Sequence, residues 1–246
     1  GGYDARGAWL FPSLLMSTAF LTVNFLRVAH VPSTEKREPF LHSVREGWRF
    51  ILKTPVLLGV MLLDMFAVLF GGATAMLPVY ADQILHIGAE GLGALRAAPA
   101  LGSFVIGLIL ALNPMKHITI SRLLWAVFGY GICIIIFGLS KIFWVSMLFL
   151  IGSGAFDTVS TVARYMAMQF LTPEKFRGRI SAISTMFIIS SNEIGAFESG
   201  TAARLLGLVP SVVFGGVMTL VIVAATAMFS PKLRRTVVDT GEEKMP

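Results

Sequence analysis

Apolar residues run in long stretches along most of this chain, separated by short polar connections. A helix that crosses a bilayer needs about 20 predominantly apolar residues, each rising about 1.5 Å. Seven stretches meet this length: 8–28, 56–80, 88–112, 118–139, 142–170, 180–206 and 209–229. The third and sixth are the least apolar, because each carries charges. Glycines and prolines lie inside these runs, among them Pro12, Gly71, Gly72, Pro78, Pro99, Gly102, Gly152 and Gly154. In a membrane such residues let helices approach closely, and neighbouring helices satisfy the backbone groups they free. Pro78 and Pro99 therefore read either as hinges or as tolerated kinks.

The one sizeable connector, 29–55, has two parts. Its first part, 30–39, is polar linker. In the second, Phe40, Leu41, Val44, Trp48, Ile51 and Leu52 recur at helical spacing, and His42, Arg45, Glu46, Arg49 and Lys53 take the other faces. This predicts an amphipathic helix, placed either on the inner leaflet beside anionic lipid or against the ends of the spans. The organisation is then one span (1–28), a linker with a surface helix (29–55), a six-helix bundle (56–231) and a polar tail (232–246). The fold class is all-α, a polytopic transmembrane helix bundle.

Composition supports this. The 246 residues are 55% hydrophobic and 14% charged, with mean hydropathy +0.77. A soluble domain carries about 25% charged residues, so a soluble enzyme, a disordered chain and a nucleic-acid binder are excluded. The lone cysteine, Cys133, lies in an apolar run and reads as packing. The net charge of +6 is unevenly placed. Of 20 Lys and Arg, one set of connections carries 15, the opposite set carries Arg6, Lys141 and Arg204, and Arg96 and Arg164 lie within spans. The bias of Lys and Arg toward the inner side of a membrane puts the richer set, with the long connector and the C-terminus, in the cytoplasm. A multi-pass protein of the cell (inner) membrane is expected.

Ionisable residues inside spans are costly and mark functional candidates. Six occur: Asp64, Arg96, Asp157, Arg164, Glu193 and Glu198. Counted from the span ends, Asp64 and Arg164 share a level and can pair, as can Arg96 and Glu198. Asp157 and Glu193 fall near the midplane with no basic partner. Each reads either as a carboxyl in a polar cavity, taking up a proton or contacting a cation, or as a hydrogen-bonded lock between helices. Asn192 fits either role. Asp157 and Arg164 are seven residues apart and share a helix face. No phosphate-binding loop or dinucleotide fingerprint is present. The four histidines are scattered without metal-ligand spacing. No cofactor and no catalytic residue is predicted.

The connection before the sixth run reads Thr172-Pro-Glu-Lys-Phe-Arg-Gly-Arg179. Thr172 suits an N-cap, Pro173 the first helical position and Glu174 the positive helix end. Arg177 and Arg179 then face the cytoplasm, where they can bind carboxylates or helix ends and hold a gate. Here the sequence resembles the major facilitator superfamily, in which a P-E-x-x-R-G-R loop lies between the tenth and eleventh helices. Three further stretches are similar to the branch containing the enterobactin exporter and the macrolide efflux proteins. These are Gly91-Leu-Gly-Ala-Leu-Arg-Ala-Ala-Pro-Ala100, the run from Arg164 to Gln169, and Ser191-Asn-Glu-Ile-Gly-Ala-Phe-Glu-Ser-Gly200.

The resemblance implies twelve helices in two halves, with this chain supplying helices six to twelve and lacking one to five. It implies a secondary active transporter, a proton-coupled exporter of a siderophore or amphipathic drug-like molecule. The implied partners are the lipid bilayer, the small-molecule substrate and the missing N-terminal half. It puts the runs bearing Asp64, Asp157 and Arg164 on the cavity. The alternatives are an uncoupled facilitator and a non-transporting membrane assembly protein.

Overall fold

The computed structural model describes residues 5–25, 40–113, 117–229 and 237–239. The polar linker 30–39 and the basic residues Arg27, Lys116, Lys232, Arg234, Arg235 and Lys244 lie outside them.

The chain divides into two units, Gly1–Glu38 and Pro39–Pro246. The first holds α1 (Ala5–Phe25). Its hydroxyls bond back to their own helix: Ser17 donates to the Ser13 carbonyl at 2.8 Å, and Thr22 to the Ala19 carbonyl at 2.8 Å. This satisfies polar side chains without a neighbour, as lipid surroundings require.

The second unit runs α2 (Phe40–Lys53), α3 (Pro55–Phe70), a 3₁₀ turn (Gly72–Met76), α4 (Leu77–Gln83), α5 (Ala89–Leu112), β1 (His117–Thr119), α6 (Ile120–Leu139), α7 (Phe143–Leu171), α8 (Glu174–Leu206), α9 (Leu208–Phe229) and β2 (Val237–Asp239). Among the described residues, six stretches are long and apolar enough to cross a membrane: Pro55–Gln83 and the helices α5 to α9. The first of the seven expected spans is not among them, since the described apolar stretch of α1, Ser13–Val23, is shorter.

Four expectations change in detail. The second run was expected to be one helix over 56–80 and is instead broken at Gly71 into α3, the 3₁₀ turn and α4. Pro78 lies in the first turn of α4, where a missing N–H costs nothing, so it neither kinks nor hinges a helix interior. The sixth helix begins at Glu174 rather than 180, so most of the 172–179 motif is helical and not loop. The fold is helical apart from a short antiparallel ribbon, in which Ile118 of β1 pairs with Val238 of β2. The fourth helix accordingly starts at Ile120 and not 118.

Helix α7 packs along both α5 and α6, α6 along α9, and α3 along α8 and α9. Lipid offers no hydrophobic drive for helix association, so close backbone approach matters. At the α5–α7 crossing a Cβ on Gly154 would strike the Pro99 backbone, and one on Gly102 would strike Ile151. Ser103 then donates to the Gly154 carbonyl across the gap at 3.1 Å.

Large side chains fill the remainder. Val60, Leu63, Leu123, Val127 and Val223 form one core, and Leu77, Tyr80, Leu95, Ile134, Phe137 and Leu150 another. The Tyr80 hydroxyl caps the end of α6, lying 2.7 Å from the Ser140 carbonyl and 3.0 Å from that of Gly138.

Helix α2 packs against α8 and α3, and its apolar stripe explains how it is held. Ile51 is buried with Leu57, Met61, Met168, Ile180 and Ile183. Trp48 stacks on Phe187 at 5.6 Å and Phe50 on Phe176 at 5.2 Å. Of the two placements open from sequence, packing on the span ends is therefore seen, while Val44 and Leu52 of the same helix stay exposed.

Candidate functional site: a charged cavity at a broken helix

Helical periodicity builds the site. On α7, Ser153, Asp157, Ser160, Thr161 and Arg164 recur at three- and four-residue steps, which stacks them on one face. On α3, Asp64, Ala67, Val68 and Gly71 do the same. These two stripes, with residues of α5, α6 and α8, enclose a cavity of about 540 Å³. Its wall also includes Ser103, Tyr130 and Asn192.

Arg164 is buried and forms an ion pair with Asp64, which is buried too. The pairing joins α7 to α3, two helices that otherwise touch only lightly. Two bare charges at this depth would each cost several kcal/mol, so each makes the other tolerable. Asp157 lies two turns along α7, about 10 Å from Arg164 by helical rise. Its carboxyl is open to the cavity.

The break in the second span borders the same space. The carbonyl of Gly71 would be left without a helical partner, and Tyr130 of α6 donates to it at 2.9 Å. A side chain at Gly71 would meet both the Tyr130 ring and the Ala67 carbonyl, and one at Gly195 of α8 would meet the Leu69 carbonyl. The small residues at 71, 72 and 195 therefore let the interrupted backbone nestle between α6 and α8.

The other candidates are dispersed. Asn192 lines the cavity, but its neighbour Glu193 is exposed and lies outside the lining. Arg96 is exposed on α5 and makes no ion pair with Glu198 among the described residues, which corrects the expected pairing. The reason is topological: α5 packs against α7, while α8 packs against α3 and α9. Glu198 is half-buried on α8.

In the 172–179 motif, Pro173 and not Thr172 occupies the N-cap of α8, and no side chain caps it. Thr172 ends α7, and its hydroxyl is buried without a partner. Arg177 pairs with Glu174 at 3.5 Å on the exposed surface. Arg179 pairs with Glu46 of α2 at 2.5 Å, so the motif tethers the amphipathic helix.

Sequence reasoning did not single out Tyr130, Ser103, Ser160 or Thr161. Ser160 and Thr161 were legible, since they fall on the stripe already defined by Asp157 and Arg164. Tyr130 and Ser103 sit on other helices, and nothing in the local pattern marks them.

A family model described as transmembrane secretion effector, within the major facilitator superfamily, matches residues 5–244. The chain belongs to this family. Among curated proteins, it is similar to the enterobactin exporter EntS of Escherichia coli O1:K1 / APEC, at 28% identity over 206 residues. It is 29% identical over 206 residues to EntS of Shigella boydii serotype 18. Each alignment covers 83% of this chain and 49% of the relative, so the chain spans about half the length of these relatives. No solved structure matches. Membership makes the protein a transporter-family member with several membrane spans.

Proposed function

We propose that the chain forms one half of a secondary active exporter. In this reading it moves a siderophore or amphipathic drug-like small molecule outward, coupled to protons, by alternating access. The cavity carries the reading: a space of about 540 Å³ lined by neutral polar groups and the Asp64–Arg164 pair, with Asp157 facing into it, beside a discontinuous span. Discontinuous helices bordering a midplane cavity recur in transporters, because unwound backbone can exist in a membrane only where it lines such a space. A cavity carboxylate can carry a proton one way while substrate moves the other. The similarity to proteins named enterobactin exporters supports a siderophore as cargo.

The partners in this reading are the bilayer, the substrate and the N-terminal half of the same transporter. The end carrying α2 and the C-terminus faces the cytoplasm, with the spans in the inner membrane. Arg177, Arg179 and Glu174 sit at the inner gate, where the Arg179–Glu46 pair fastens α2 to α8.

The test is transport in everted membrane vesicles bearing the protein expressed from its native reading frame. Labelled enterobactin should accumulate when a proton gradient is imposed and should stop when a protonophore dissipates it. Accumulation indifferent to the protonophore would favour the uncoupled facilitator. No accumulation of enterobactin or of a panel of amphipathic drugs would sink the exporter reading.

A further inference from the structure

We infer that Arg164 is the anchor for an acidic group on the transported molecule, and that Asp64 is the resident counter-ion which this group displaces. The inference rests on the reading of the cavity as the transport site, and it narrows the substrate class to molecules bearing an oxyanion.

Three observations carry it. First, the only charged side chains among the described lining residues are Asp64, Asp157 and Arg164, so the cavity has one cationic point. Second, the guanidinium is incompletely used. A guanidinium presents five N–H donors in a rigid fork. Here Nη1 faces the Asp64 carboxylate, while Nε is buried with no hydrogen-bond partner. Arg164 is only 4% exposed, so that donor does not find bulk water elsewhere. A spare donor on a desolvated guanidinium suits a second oxyanion, which the fork geometry grips more firmly than a neutral acceptor.

Third, the distribution of charge gives such a ligand one orientation. Asp157 stands two turns along the same face of α7, about 10 Å away. It repels an acid from that end of the cavity and leaves it to Arg164. Between the two on α7 lie Ser160 and Thr161, and Ser103, Tyr130 and Asn192 of other helices also line the cavity, all neutral hydrogen-bonding groups.

Asp64 explains how an empty cavity tolerates Arg164. A buried guanidinium with no anion would be strongly disfavoured. With Asp64 in place the cation is neutralised; an arriving carboxylate exchanges one anion for another at the guanidinium, and the released Asp64 carboxylate takes up a proton, so that neither charge is left bare.

Equilibrium dialysis on the detergent-purified protein, expressed from its native reading frame, tests this with 2-naphthoate and 2-naphthamide. The two share a ring system and differ by an acid against an amide. Naphthoate should bind about tenfold more tightly than naphthamide, as charge-assisted pairing does relative to neutral. Asp64→Asn removes the competing charge but keeps the shape, and should tighten naphthoate about tenfold further with naphthamide within about twofold of the parent. Arg164→Gln should erase the preference.

Equal binding of the two probes by the parent would overturn the inference, as would an unchanged acid preference in Asp64→Asn. Should Arg164→Gln or Asp64→Asn fail to fold by thermal melting, the parent's own acid-against-amide preference and Arg164→Lys decide, the latter predicted to keep a reduced acid preference. Acid preference without vesicle transport would defeat the exporter reading and leave this assignment standing. Transport without acid preference would do the reverse.

Discussion

Arg164 of α7 and Asp64 of α3 form a buried ion pair that bridges two helices with little other contact along their length. Their elements are far apart in sequence. The pair therefore fixes the rotation of both helices about their axes, and with it which residues face the cavity.

Removing one partner should hurt more than removing both. Asp64→Leu leaves an uncompensated buried guanidinium and should destabilise the protein by about 3–5 kcal/mol. Asp64→Leu with Arg164→Met replaces the pair by apolar groups of similar bulk and should recover most of that loss. Thermal melting of the two singles and the double in one detergent measures the coupling. Additive losses would show that the pair does not act as a unit.

The α5–α7 crossing should be intolerant at one glycine and indifferent at another. A methyl at Gly154 would strike the Pro99 backbone, whereas one at Gly107 meets nothing within 4 Å. Gly154→Ala should cost about 1–3 kcal/mol through forced separation of the helices. Gly107→Ala should be neutral, or stabilising by up to about 1 kcal/mol through helix propensity. Paired melting curves distinguish them.

Asp157 and Glu193 should behave differently although both read as midplane carboxylates. Asp157 faces the cavity and Glu193 does not. Under the proposed function, Asp157→Asn should abolish the response of efflux to an imposed pH gradient, while Glu193→Gln should keep it within about twofold of the parent. Vesicle transport across a series of gradients reads this directly. A gradient response surviving in Asp157→Asn would remove Asp157 from the proton path.

Helix α2 should be held by packing more than by charge. Glu46 and Arg179 are partly exposed, so their pair is worth about 1 kcal/mol or less. Most of the attachment must come from Ile51 and the two aromatic stacks. Glu46→Lys puts like charges together and should modestly raise proteolytic cleavage in 40–54, whereas Ile51→Asp should raise it strongly. Equal cleavage of parent and Ile51→Asp would show that the packing does not hold the helix.

Much of this was legible in the chain itself. Runs of apolar residues fix the spans because a bilayer core gives unpaired backbone polar groups no water to bond. The amphipathic stripe of 40–53 similarly announced α2. Depth counted along antiparallel spans already put Asp64 and Arg164 at one level. The same count put Arg96 level with Glu198, yet those two do not meet. Depth is one coordinate, and lateral neighbours depend on which helices pack together, which no local pattern encodes.

Sequence by itself therefore determined the membrane class, the identity and approximate limits of the long helices, and the short roster of charges that need an explanation. Tertiary structure alone decided that the second span breaks at Gly71, because its freed carbonyl is met by Tyr130 from another helix. It also decided that Asp157 faces a cavity while Glu193 does not, and that Arg179 reaches back to Glu46. Hydropathy reports the cost of placing a residue in lipid, which is a property of one position. Pairing, breaking and cavity lining are properties of two or more helices at once.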